Sequence, residues 1–170
     1  GVLSNRSGVG ARATVTLLSG RKVHRHLTAG KGFGNTDSPT LHFGLADEST
    51  IDRMVVHWPS GIDQLLLAPA AHQRHAIIET GLRLQGEAVV GGDATLQFCG
   101  PPGEVALLLV GTASTELPLP AYGGILEVAP PFLLNLPLPL DLEGRIDVAF
   151  EIPNDPGLQG AVVYLQTWTR

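Results

Sequence analysis

One cysteine, one methionine, two tryptophans and two tyrosines occur among 170 residues, and each scarcity removes a class of protein. A lone thiol forms no internal disulfide, so no disulfide framework staples this fold. Cys99 ends the apolar run Ala94–Cys99 with no His–Asp arrangement close in sequence, and it reads as a half-buried strand cysteine rather than a nucleophile. Aromatic residues make up 5% of the chain, too few to interleave with clustered cations as a nucleic-acid surface requires. Long apolar runs are missing as well. Although 44% of residues are hydrophobic, Gly, Pro or a charge interrupts them well short of the roughly 20 residues that cross a bilayer, which argues against a membrane span. No basic-then-apolar leader opens the chain, and it starts on Gly1 rather than Met. That reads as a processed product or a piece of a longer polypeptide.

Helical periodicity is the next absence. No long window repeats apolar residues at i, i+3, i+4 and i+7 between caps, whereas short β-branched runs recur between Gly, Pro, Asn and Asp. The expected class is all-β. In the first half, strands are expected at Ala11–Leu18, Val23–Thr28, Thr40–Phe43, Arg53–Trp58, Ile62–Leu67 and Arg74–Glu79. Ser19-Gly20-Arg21 and Pro59-Ser60-Gly61 supply the chemistry of tight turns. In the second half, Leu82–Val90, Ala94–Cys99, Val105–Val110, Glu116–Leu119, Ile125–Val128, Leu133–Leu136, Arg145–Ile152 and Ala161–Thr167 read as a series of short strands. Their spacing is that of a β-sandwich. Prolines in ELPLPA and NLPLPLD lack an amide donor and belong at sheet edges or in connections.

Charge divides the chain. Residues 1–80 carry eight Lys and Arg against six Asp and Glu, a balance of +2; residues 81–170 carry three against ten, a balance of −7. All six histidines fall in the first part. This shift places a boundary near Thr80 and Gly81, giving two small β domains, 1–80 and 81–170, the second a β-sandwich.

Each group able to carry chemistry has a plainer structural reading. Gly30, Gly32 and Gly34 have the alternation of a phosphate loop, but no helix follows to complete one, so a tight connection is expected. His24 and His26 flank Arg25 in a strand and share a face, where two imidazoles suit a metal. No third ligand follows at metal spacing, although His42, His57, His72 or His75 could approach in space. Asp47, Glu48 and Asp52 lack the pattern of a calcium loop, and nothing selects two of them as a glycosidase pair. They read as a solvated turn, with Ser49 or Asp52 bonded to local backbone. Met54, Val56 and Trp58 alternate with Arg53, Val55 and His57, so His57 faces away from Trp58 and has no sequence-local acid to orient it. No metal and no cofactor is expected.

Three stretches carry a resemblance. NRSGVGARATVTL, TAGKGFGNTDSPTLHFGL and IDRMVVHWPSG, with the closing HAIIE, resemble the ASPIC/UnbV domain over residues 1–80. The likeness rests on N-x-x-G-x-G-A-x-x-x-V, H-F-G-L and V-x-W-P-S-G in that order. The resemblance implies export and a role in extracellular interaction, and it brings no catalytic residues with it. LPLPLDLEGRIDV and IPNDPGLQGAVVYLQTW are similar to β-sandwich modules that close secreted proteins of environmental bacteria, in which a strand-end Gln near the C-terminus is common.

The expected function is therefore that of a non-catalytic structural or adhesive module at the surface of a bacterium. It would self-associate head to tail, as a homo-oligomer or a fibre, or dock on a larger surface protein. A carbohydrate-binding module is the alternative, and a glycan or a cell-surface protein would then be the partner. Trp168, Tyr122 and Tyr164 are the expected interaction residues, and Trp58 is expected in the core. The proline-flanked strands Glu116–Leu119 and Leu133–Leu138 are expected to offer open edges for pairing with a neighbour.

Overall fold

The computed structural model describes residues 1–30, 38–119 and 124–169. The chain divides into two compact units, Gly1–Glu79 and Thr80–Leu119 with Ile125–Arg170. Among the described residues there is no α-helix, and both units are built from antiparallel strands.

Among its described residues the first unit has four strands: β1 (Arg12–Leu17), β2 (Lys22–His26), β3 (Ile51–His57) and β4 (Asp63–Leu67), in the order β2-β1-β3-β4. Their alternation sets which side is dry. Ala13, Val15 and Leu17 of β1, with Met54 and Val56 of β3, face inward and are buried together with Val2, Trp58 and Ile62. The 58–61 turn closes when Trp58 O accepts from Gly61 N at 3.0 Å, while Trp58 N donates to Ile62 O at 2.8 Å. Two segments expected as strands are not strands. Residues 40–43 and 74–79 have strand-like composition but pair with no ladder, and their positions are held by side chains instead.

Among its described residues the second unit has eight strands: β5 (Gly81–Gln85), β6 (Asp93–Cys99), β7 (Val105–Gly111), β8 (Ser114–Leu119), β9 (Gly124–Val128), β10 (Leu134–Pro139), β11 (Arg145–Glu151) and β12 (Tyr164–Thr169). Sheet β11-β6-β5 and sheet β10-β7-β12 each contribute one face to a shared core of Leu96, Phe98, Ala106, Leu108, Leu138 and Leu140. Phe98 is wholly buried, which stabilises by about 1.5–3 kcal/mol. This is the expected sandwich. β8 and β9 form a separate hairpin. β5 stops at Gln85 rather than running to Val90, because Gly86 turns the chain with φ of +95°. Cys99, expected as a half-buried strand cysteine, is fully buried at the end of β6.

Candidate functional site

The polar residues of the first unit fall into two groups, one buried and one open. The buried group centres on Glu79, whose side chain is inaccessible to solvent. Its Oε2 accepts from Val2 N at 2.5 Å and Ser4 N at 2.8 Å; its Oε1 accepts from Ser4 Oγ at 2.8 Å and Ser60 Oγ at 2.5 Å. Ser4 Oγ in turn accepts from Ser60 N at 3.1 Å. Burial works to raise the carboxyl, but hydrogen bonds from Ser60, Ser4 and Val2 outweigh it and hold Glu79 below the ordinary carboxylate value. Ser60 and Glu79 thus tie the 58–61 turn to the chain start.

The same turn receives the glycine loop of the first residues. The Asn5 amide clamps Val9 in both directions, donating to its carbonyl at 2.7 Å and accepting from its N–H at 2.9 Å. This sets Gly8 and Gly10 at φ of +66° and +98° against Trp58 and Pro59. A Cβ on Gly8 would stand 3.1 Å from the Trp58 ring, and one on Gly10 would stand 3.2 Å from Pro59 Cγ. Trp58 is buried, as expected, and its Nε1 donates to Gln64 Oε1 at 2.8 Å. The N-x-x-G-x-G and W-P-S-G motifs and the closing Glu79 are therefore parts of one structural lock.

The open group lies on the outer face of the four-stranded sheet. Register aligns His26, Arg12, His57 and Asp63 as one row across β2, β1, β3 and β4, with His24 and Thr14 in the next row. An open cleft of about 500 Å³ is lined by residues that include Arg12, Thr14, His24, His26 and His57. His57 Nδ1 lies 2.6 Å from Asp63 Oδ1, and His24 Nδ1 lies 2.8 Å from Thr14 Oγ1. The fold thus brings His57 to His24 and His26, but no three metal-ligating groups converge among the described residues. Asp63 is the acid that sequence reading missed. It sits six residues after His57, and the 58–61 turn folds it back opposite that histidine.

The remaining candidates are scattered. Asp52 pairs with the adjacent Arg53, and Glu48 with Arg21. His42 lends only its carbonyl, to Arg25 Nε at 2.9 Å, while His75 Nε2 lies 2.7 Å from Ala70 O. Gly32, Gly34 and Tyr122 lie outside the described residues.

In the second unit, Trp168 and Tyr164 lie on β12 but do different things. The outer face of sheet β10-β7-β12 carries the row Pro137, Leu107 and Trp168, followed by Pro139 and Val105. Val105 and both prolines are exposed, and Leu107 and Trp168 are half-buried. One row further along, Leu109 is buried beneath Gln166, whose amide mimics a strand partner for β9: Nε2 donates to Ile125 O at 2.6 Å, and Oε1 accepts from Glu127 N at 2.9 Å. Tyr164 lines a more polar cleft with Glu116 and Glu127. The outer edge of β10 differs from the expectation of an open pairing edge. Leu140 N bonds Glu104 O at 2.9 Å, so strand alternation turns the nitrogens of Pro137 and Pro139 outward, where they have no proton to donate.

Residues 1–83 match the family model described as ASPIC and UnbV. No curated protein and no solved structure matches the chain.

Proposed function

With residues 1–83 forming a domain of the ASPIC and UnbV family, we propose that the chain is a non-catalytic extracellular module that works by contact and associates with copies of itself. The observation that carries this reading is the apolar strip of exposed Pro137 and Val105 with half-buried Leu107 and Trp168 between and beside them. Gln166 of that sheet face is engaged with β9 of the β8–β9 hairpin, and further along the same face Val105, Pro137 and Pro139 are exposed while Leu107 and Trp168 are half-buried. Burying such a strip against a neighbour removes apolar area from water at about 25 cal/mol per Å².

Charge selects the occupant. The residues around the strip belong to the part of the chain with ten acids against three bases, whereas the first part has eight bases against six acids. The complementary surface is thus the first unit of another copy, a heterologous contact that extends head to tail unless its rotation closes a ring. The proline edge of β10 directs this contact to the sheet face rather than to strand addition.

Leu107→Lys tests the proposal, because it places a cation in the middle of the strip without disturbing the buried face. Sedimentation of this variant should show smaller species than the unaltered chain at equal concentration. An unchanged distribution would contradict the reading. The carbohydrate-binding alternative draws on the half-buried Trp168 and the exposed Tyr164. It gains ground if Trp168→Ala loses binding to a soluble glycan while the mass distribution stays the same.

A further inference from the structure

The outer face of the first unit holds a concentration of cationic and cation-forming groups around one cleft. Arg12 lies in the middle of the row, flanked in register by His26 on one side and His57 on the other. Adjacent strands are about 4.8 Å apart, so all three side chains rise from within about 10 Å of sheet. His24 stands one row away on the same face. Arg12 has no acidic partner among the described residues, and Arg25, at the margin of the cleft, donates only to main-chain carbonyls of His42 and His24. The one carboxylate in the row is Asp63, at its end and engaged with His57 Nδ1. Lys22 and Arg53 lie two rows away on the same face, with Arg53 neutralised by Asp52.

This arrangement discriminates between ligands. A divalent cation shared by His26 and His57 would sit over the Arg12 guanidinium, and no metal-ligand constellation exists among the described residues. An anion meets the opposite field. The Arg12 fork offers paired donors, the His26 imidazole adds a donor from one side, and His57, whose Nδ1–H is engaged with Asp63, adds one from the other through Nε2 as an imidazolium. A carboxylate would be satisfied by the fork alone, with two coplanar oxygens. A tetrahedral group presents oxygens in three directions and can meet β1, β2 and β3 together. The span of the row suits one such group rather than a polyanionic backbone.

We propose that the Arg12, His24, His26 and His57 cleft is a binding site for a tetrahedral oxyanion, sulfate or phosphate, either as the free ion or as a monoester on a sugar. Arg12 anchors the anion, His26 and His57 flank it, and Asp63 fixes the His57 ring so that its Nε2 points to the cleft. His24, held by Thr14, supplies the fourth donor.

Sulfate is the appropriate probe, because its charge is constant over the range in which imidazole titrates. Titration of the full chain with sodium sulfate, followed by backbone NMR at low protein concentration, should perturb Arg12, His24, His26 and His57 saturably. Affinity should be about tenfold higher at acidic than at mildly alkaline pH, the worth of one charge-assisted hydrogen bond. Arg12→Gln should weaken binding about tenfold or more at either pH. His24→Gln, His26→Gln and His57→Gln together should remove the pH dependence while leaving residual binding through Arg12. Thermal melts of all variants establish that they fold. Tighter binding of a sulfated oligosaccharide than of inorganic sulfate identifies the ester as the source, and equal affinity identifies the free ion. Absence of saturable shifts, or unchanged affinity in a folded Arg12→Gln chain, overturns the site. Because the readout is taken on dilute protein, it does not depend on self-association.

Discussion

Ser60 Oγ donates to Glu79 Oε1 at 2.5 Å across 19 residues of sequence, and this bond closes the lock that the first unit is built around. A serine beside a carboxylate invites a catalytic reading, but here the carboxylate is wholly enclosed and receives Val2, Ser4 and Ser60 together. The pair is an architectural acceptor and its donor.

Acid should release the lock. Glu79 is held below its ordinary value in the folded chain, so its contribution to stability is full above the ordinary carboxylate range and is lost as pH falls through the lowered folded value. Melting temperature plotted against pH should drop on that acidic side, and Glu79→Gln should flatten the drop. Glu79→Ala should cost about 3 kcal/mol or more at neutral pH, because four donors lose their acceptor at about 1 kcal/mol each. Denaturant melts measure both. An Ala variant as stable as the original chain would contradict the structural role.

Trp58 and Gly8 form the second half of the same lock. Trp58→Ala removes a buried ring and should cost roughly 3–5 kcal/mol. Gly8→Ala should cost about 1–2 kcal/mol, from the positive φ and from the methyl pressed on Trp58. The two changes share one contact, so a double mutant should be less destabilised than their sum. Strict additivity in chemical denaturation would argue against that contact.

Much of this was legible from residue order, and what was not has a physical reason. Alternation at Met54, Val56 and Trp58 has period two, so the buried face of β3 followed directly. The ASPIC and UnbV likeness included Asn5, Gly8, Gly10, Trp58, Ser60 and Glu79 without revealing that they meet, and it did not reach Val2 and Ser4. Val2, Ser4, Ser60 and Glu79 are brought together by tertiary folding, and a charged Glu79 reads as a surface residue on hydropathy alone. Asp63 required tracing the register back through the turn. Residues 40–43 and 74–79 look like strands because β-branched and aromatic content is scored locally, whereas a strand exists only where a neighbour offers a ladder. Gln166 entered only through the resemblance of the C-terminal segment to modules with a strand-end Gln. Its use as a substitute peptide group for β9 depends on the hairpin lying across β12, which no local pattern encodes.

Thr167 marks a place where the second unit is less than optimal. Its Oγ1 is buried without a hydrogen-bond partner among the described residues, on the face of β12 that register places opposite Leu108. Thr167→Val keeps the shape and removes the stranded hydroxyl, so it should stabilise by roughly 1 kcal/mol. Thermal unfolding checks the sign. A lower melting temperature would mean that the hydroxyl has a partner in solution.

Light scattering of the unaltered chain across protein concentration and salt tests the proposed function most directly. Self-association through the Trp168 strip, steered by the opposite charge of the two parts, requires a mass that rises with concentration and falls as salt screens the steering field. A particle that remains monomeric at high concentration and low salt contradicts it.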